Sequence, residues 1–381
     1  MLHEKRSMPA SAVATELRRR ISSGEYRDGE WLPTERELSE ALGVHRRSVR
    51  AAIGELAAEG LVTVKPRCRP IVCEGASAIL GRGRRPFVPV TPPTSSKLVA
   101  LLMSSFRFKE GPTAQELIFW GMNRALGEAG FHGVFLNIGD RLSSHHQIGE
   151  READHLRYAI DNGFAGMVFY PNAYNRNRNL IQDVARQMPL VLIDRMASGI
   201  EADFVGIDNF RAAFDATRYL MGEGHRHIAY ITGGEAIEPV GERLAGYRGA
   251  LSDGMPESIV TGTPPDRPWP AFEALFRLPV AERPTAVLCV NDVEAMYAAR
   301  RLDRLGLSVP ADVSLMGFDN VVDRVGAVGL TTVEQPFEQI GEAAGQLLLQ
   351  RLRKPSTPFS FVRIPTRLVL RESVLPPSPL R

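Results

Sequence analysis

Arg46, Arg47 and Arg50 crowd the first turns of the segment VHRRSVRAAIGELAAEG, residues 44–60. Guanidiniums at that spacing can fork onto guanine edges or clamp phosphates. Val49, Ala52, Ile53 and Leu56 recur at helical spacing and predict an apolar stripe on the opposite face. The helix macrodipole disfavours cations at an N-terminus. No acid stands among these arginines to pair with them, so the compensating charge is expected from outside the chain. Ala51 and Gly54 share the outward side and would let the helix sit deep in a major groove. A second polar set ends the apolar runs further along. Asp194 and Arg195 follow PLVLI, Asn291 follows TAVLCV, Asp319 and Asn320 follow VSLMGF, and Arg243 opens ERLAGYRGAL. Carboxylates and amides exchange hydrogen bonds with hydroxyls, and an arginine supplies two parallel donors. Such a set suits a small polyhydroxylated ligand such as a sugar. Any one of these acids, Asp208 and Asp292 included, could instead cap a helix.

The front elements must present the arginines. SAVATELRRRISSG carries Val13, Leu17 and Ile21 on one side and stops at Gly24. In LPTERELSEALGV, Thr34 and Glu37 match a capping box, and Gly43 suits the residue after the helix. A tight turn then leads into the arginine helix. Two short helices joined this way, the second cationic, form the helix-turn-helix pattern. LVTVKPRCRPIVCE adds two β-type runs around a basic tip, a wing on which Lys65, Arg67 and Arg69 could reach the DNA backbone.

Charge agrees with a nucleic-acid-facing front. Residues 1–96 hold 16 basic and 11 acidic residues, a net of +5, whereas the whole chain of 381 residues is only +2. No apolar run approaches the roughly 20 residues that span a membrane, and MLHEKRSMPASAV lacks a signal core. Cys68, Cys73 and Cys289 make no even framework, which suits a reducing cytoplasm. Neither a metal nor another cofactor is expected. The expected division is a DNA-binding domain over 1–74, a Gly/Pro/Ser/Thr-rich linker over 75–96, and a two-lobed effector domain over 97–375. Within it, lobe one takes about 97–196 plus 337–356, and lobe two about 197–335 plus 357–373.

From Lys97, apolar runs alternate with helical segments: KLVALLM, GVFLNI, GMVFYP, PLVLIDR, HIAYITG, TAVLCVND and VSLMGFD. Apolar strands between helices predict parallel sheets covered on both faces. Ligands of open α/β sheets bind beyond the carboxyl ends of the strands, where the second polar set lies. An enzyme would need a nucleophile with its base, a metal set or a phosphate loop. None is found; GRGRRP lacks the strand and spacing of a dinucleotide fingerprint.

The segment LRRRISSGEYRDGEWLPTERELSEALGVHRRSVRAAIGELAAEGLV resembles the winged-helix domain of the GntR family of bacterial transcription regulators, over residues 11–73. That resemblance implies DNA contacts by Arg36, Arg46, Ser48 and Arg50. The chain departs from the family at His45, at Arg47 and in the wing turn Pro66-Arg67-Cys68-Arg69-Pro70. From Lys97 to about Ser373 the chain resembles the effector domain of the LacI family, through PLVLIDR, VGIDN, EGHRHIAYITG, ERLAGYRGAL, PTAVLCVNDVEA and LTTVEQPFEQIGEAA. The implied fold is a small α+β winged helix-turn-helix domain followed by an α/β two-lobed domain of the periplasmic-binding-protein-like type I. The resemblance implies ligand contacts by Asp194, Arg243, Asn291 and Asp319, with Trp269 stacked on a sugar ring. Gln115 or Glu116 could reach the cleft, and His225 and His227 fall in a structural turn. The combination is similar to the arabinose-repressor class of sugar regulators. It implies a homodimer on a palindromic operator, released when a sugar closes the two lobes. A regulator sensing a purine or other non-sugar, or an activator or co-repressor type, is the alternative.

Overall fold

The computed structural model describes residues 10–22, 24–27, 29–59, 61–64, 69–73, 76, 96–105, 112–139, 144–197, 199–232, 237–252, 254–262 and 269–377. Lys65, Arg67 and almost all of the expected linker lie outside these residues. The chain divides into two compact units, residues 1–88 and 89–381.

The front unit includes the helices α1 (Ala10–Ser22), α2 (Glu35–Ala41) and α3 (Arg46–Ala58). A hairpin follows, with β1 (Val62–Thr63) antiparallel to β2 (Ile71–Val72). The capping box forms as the spacing requires. The Thr34 hydroxyl accepts from the Glu37 amide at 3.2 Å, and the Glu37 carboxylate accepts from the Thr34 amide at 2.7 Å. Gly43 takes a φ of 64°, the left-handed value that ends α2 and lets the chain turn into α3. Leu17, Ile21, Leu38, Val49, Ile53 and Leu56 meet in one core. Arg18 ties α1 to the end of α3, donating to Glu59 at 2.9 Å and to Glu55 at 2.7 Å. This is a winged helix-turn-helix domain.

The back unit is built on two six-stranded sheets. The first contains β3 (Leu98–Met103), β4 (His132–Asn137), β5 (Gly166–Phe169), β6 (Leu190–Ile193) and β7 (Asp203–Gly206), with β15 (Phe361–Arg363) at its edge. Every pairing in it is parallel. The second contains β8 (Ile228–Thr232), β9 (Ser258–Thr261), β10 (Ala286–Cys289), β11 (Ser314–Asp319) and β14 (Thr331–Glu334), with β16 (Arg367–Val369) running antiparallel at the edge. A small hairpin of β12 (Arg324–Val325) and β13 (Val328–Gly329) precedes β14. The helices α4 (Ala114–Gly127), α5 (His145–Asp161), α6 (Tyr174–Gln187) and α11 (Phe337–Arg353) serve the first lobe. The second carries α7 (Asn209–Gly222), α8 (Glu238–Ala250), α9 (Pro270–Phe276) and α10 (Asp292–Arg304). β5, β6, β8 and β10 are buried along their whole length, as strands covered on both faces must be. Gly121 of α4 lets α11 approach closely; a Cβ there would lie 1.9 Å from the Glu338 carbonyl oxygen.

The chain passes between lobes three times, at 207–208, 335–336 and 364–366. The expected lobe limits therefore need correction. Residues 203–206 and 361–363 belong to the first sheet, because β7 pairs with β6 and β15 pairs with β7. A buried ion pair holds that late strand in place. Arg351 forks onto Asp203 at 2.9 Å through both Nε and Nη2. The same guanidinium bonds the carbonyls of Pro355, Thr357 and Pro358, and the Ser360 amide donates to Asp203 at 2.8 Å. Removing one partner of a buried pair strands the other charge. Arg351→Ala should destabilise the back unit by about 3–5 kcal/mol in urea unfolding; a change below about 1 kcal/mol would contradict this role.

Candidate functional site

The strands β3, β5, β6, β10, β11 and β14 end at one cleft of about 1410 Å³ between the two lobes. Tyr170, Asn172, Asp194 and Arg195 reach it from the first lobe; Arg243, Asn291, Asp319 and Asn320 reach it from the second. Asp194 has a φ of 64°, Asp319 of 105° and Asn320 of 59°. These are the non-glycine residues at positive φ among the described residues, and all three line the cleft. Backbone strain of this kind persists only where surrounding contacts enforce it, and it concentrates at binding sites.

The enforcing contacts are visible. Arg243, on the buried side of α8, donates from Nε to Asn209 at 2.8 Å and from Nη1 to the Val290 carbonyl at 2.6 Å. Nη1 also reaches Asp319 at 3.3 Å, and the guanidinium lies 3.7 Å above the Phe318 ring. Gln335, in the second crossover, donates to the same Asp319 oxygen at 2.7 Å. Burial pushes the Asp319 carboxyl above the usual range, and Arg243 pulls it back. Asp292 shapes the following loop. One of its oxygens accepts from the amides of Val321 and Val322 at 2.7 and 3.1 Å, and the other from Thr332 at 2.6 Å. Burial, with repulsion from Asp319, raises its carboxyl to about 7.

In the first lobe, Arg195 lies 3.8 Å from the Asp194 carboxylate and 4.5 Å over the Tyr170 ring. Asn291 caps α10, its side chain accepting from the Glu294 amide at 2.8 Å, and it lines the cleft as well. Asp208 caps α7 through the Arg211 amide at 2.8 Å. Gln115 lines the cleft, whereas Glu116 closes the capping box of α4 by accepting from the Thr113 amide at 2.7 Å. His225 and His227 each bond a hydroxyl, Thr285 at 2.9 Å and Ser258 at 2.8 Å. No group of three or more His, Cys, Asp or Glu among the described residues is arranged to hold a metal.

Trp269 is a correction. It is 2% exposed, it stacks on Phe272 at 4.7 Å, and its indole N–H donates to the Thr261 carbonyl at 2.7 Å. The ring belongs to the core of the second lobe, among Val260, Phe276 and Leu315, and does not line the cleft. An indole with its apolar surface buried and its N–H bonded is satisfied there.

In the front unit, Arg36, Arg46, Arg47 and Arg50 are exposed, and Ser48 is half-buried. Ala51 and Gly54 are exposed beside them, as the groove-fitting face requires. The expectation that Arg50 lacks an acid fails. It forks onto Glu35 of α2 at 2.9 and 2.7 Å, and this contact lowers the Glu35 pKa. The acid was hidden from helix spacing because it lies 15 residues away on another element. The pair fixes the guanidinium plane and leaves its remaining N–H groups outward.

Two family models match the chain. The gntR family of bacterial regulatory proteins covers residues 9–69, and the periplasmic binding protein-like domain covers residues 217–374. The chain is 34% identical over 234 residues to the HTH-type transcriptional repressor PurR of Escherichia coli, covering 59% of this chain and 67% of that repressor. A cellobiose complex of the transcriptional regulator CelR superposes with a TM-score of 0.61 at 26% identity, covering 90% of this chain and all of that one. A LacI family regulator from Mycobacterium smegmatis superposes with a TM-score of 0.59 at 25% identity, over 74% of this chain and 100% of that one. The chain belongs to the LacI-type family of transcriptional regulators, with a GntR-family reading domain at its front. It is a DNA-binding repressor of that type with an effector-binding domain. No helix among the described residues is long and apolar enough to cross a membrane.

Trp269→Ala tests the correction. Emptying a buried indole site should cost about 3–5 kcal/mol of stability without any ligand present. A cost near zero would put the ring at an open surface instead.

Proposed function

We propose that this repressor is released from its operator by a neutral polyhydroxylated ligand, a sugar, held between the lobes. The observation that carries the reading is a charge pair on each side of the cleft. Each lobe contributes a carboxylate beside an arginine of its own, Asp194 with Arg195 and Asp319 with Arg243. Hydroxyls can donate to the carboxylates and accept from the guanidiniums, so a polyol satisfies both without carrying charge. Asn172 and Asn291 add one amide from each lobe. The relatedness to a regulator solved with cellobiose supports a sugar at this position. Ligand contacts from both lobes favour the closed arrangement, and closure turns about the three crossovers. The reading of DNA rests on Arg36, Arg46, Arg47, Ser48 and Arg50, with Lys65 and Arg67 of the wing. Two copies on a palindrome would need their readers at fixed spacing, and closure would disturb it. Ligand and operator then oppose one another.

Two measurements test this. Arg46→Ala or Arg50→Ala should weaken binding to a duplex selected from a random pool by about 1–3 kcal/mol in fluorescence anisotropy. Unchanged isotherms across a salt titration would remove both residues from the interface. A thermal-shift panel of pentoses, hexoses, disaccharides and purine bases should reveal one ligand. At about 100 times its Kd it adds roughly 2.7 kcal/mol. Asp319→Ala should abolish that shift and keep DNA binding. A purine as the responding compound, or an Asp319→Ala protein that shifts like wild type, would refute the sugar reading.

A further inference from the structure

One carboxyl oxygen on the cleft wall has no hydrogen-bond partner. Glu294 is the third residue of α10 and lines the cleft. Its Oε2 is buried without a hydrogen-bond partner. Gly262, just past β9, packs against it; a Cβ there would come within 2.4 Å of Oε2. The cations lining the cleft are engaged with other acids. Arg195 is beside Asp194, Arg243 is on Asp319, and Arg176 reaches Glu150. The other lining acids have partners too. Glu334 holds Arg367, and Glu238 accepts from the Met196 amide at 3.2 Å. Burial pushes the Glu294 carboxyl up to about 7. Across the cleft, Gln115 also carries a buried oxygen without a partner. The Gln115 oxygen is an acceptor, and so is the Glu294 oxygen in its ionised form, one on each lobe. A buried acceptor left unsatisfied costs stability until a donor arrives.

We propose that Glu294 is a specificity-determining residue of the cleft: it takes a hydrogen-bond donor of the effector, hydroxyl or ammonium, and closes the site to phosphorylated and carboxylated ligands. The inference rests on reading the cleft as the effector site. A second anion beside an acid that has no cation of its own is opposed by repulsion and by desolvation together. The competing role is structural, since an acid in a first helical turn is favoured by the macrodipole. That role predicts a less stable empty protein when Glu294 is replaced, whereas an orphaned acceptor predicts no loss or a gain.

The test uses the full chain, wild type and the variants Glu294→Gln, Glu294→Ala and Gly262→Ala. Each is titrated calorimetrically with cellobiose, with glucose, glucosamine and glucose 6-phosphate, and with ribose and ribose 5-phosphate. The wild type should bind a neutral or aminated member and reject its phosphorylated counterpart. Glu294→Ala should weaken that ligand by about tenfold or more, with the Tm of the empty protein equal to wild type or higher. Gly262→Ala, which crowds the carboxyl, should weaken the same ligand. Glu294→Gln separates the donors: a hydroxyl partner survives within about fivefold, and an ammonium partner loses more than about tenfold. Preference for the phosphorylated member, binding by Glu294→Ala within about twofold of wild type, or a Tm lowered by several degrees would each overturn the proposal. If no member binds wild type, the effector-site reading falls and takes this inference with it. That result is distinct from a bound sugar indifferent to Glu294.

Discussion

The guanidinium of Arg243 fixes the geometry on which the cleft depends. It gathers three chain ends that are distant in sequence. Asn209 opens α7 after the first crossover, Val290 ends the run of β10, and Asp319 ends β11. The ring of Phe318 supports it from below at 3.7 Å. An arginine can do this because its donors lie in one rigid plane. A lysine would offer a point charge in the same place and could not set three directions at once. The strained φ values of Asp319 and Asn320 then follow from where their partners stand.

The same cluster touches the crossovers. Asn209 follows the first, and Gln335, which holds Asp319 at 2.7 Å, lies in the second. The third is bracketed by Arg351 on Asp203 in one lobe and by Arg367 on Glu334 in the other. Glu334 also lines the cleft. A group bound at Asp319 therefore acts on residues that join the lobes directly. Packed interiors resist continuous deformation, so such a change favours one of two arrangements over the other.

Much of this was legible in the sequence. The Thr34–Glu37 box, the Gly43 turn and the stripe Val49, Ile53, Leu56 are local signals, and each forms. The seven apolar runs are strands; in the central ones burial on both faces removes polar residues, while GVFLNI is a partly covered edge strand. Seven strands escaped notice, the two-residue strands of the 324–329 hairpin among them. Residues 361–363 and 367–369 are short and contain no fully buried residue. Residues 203–206 begin with a buried aspartate that Arg351 and the Ser360 amide, far along the chain, explain. Ser258–Thr261 is a half-covered edge strand, and Thr331–Glu334 carries threonines that bond Asp292 and Arg371. With Arg243 marked separately at the opening of a helix, the strand-end rule found Asp194, Asn291 and Asp319 for the cleft. It missed Gln335, whose role depends on a crossover, and Glu294, which reads as an ordinary first-turn acid. The family resemblance misplaced Trp269, because it does not separate a stacking ring from a core ring. The Arg50–Glu35 pair needed the turn between two helices before it could be seen.

The most direct test of the account is the coupling between cleft and DNA, measured from both sides. The ligand found by the thermal panel is titrated into the protein, free and bound to its selected duplex. The duplex is then titrated with and without ligand. Linkage requires the same factor in both directions, and a typical coupling is about 5–150-fold. The account predicts weaker ligand binding on DNA and weaker DNA binding with ligand, by equal ratios. A ligand affinity unchanged by DNA would contradict it.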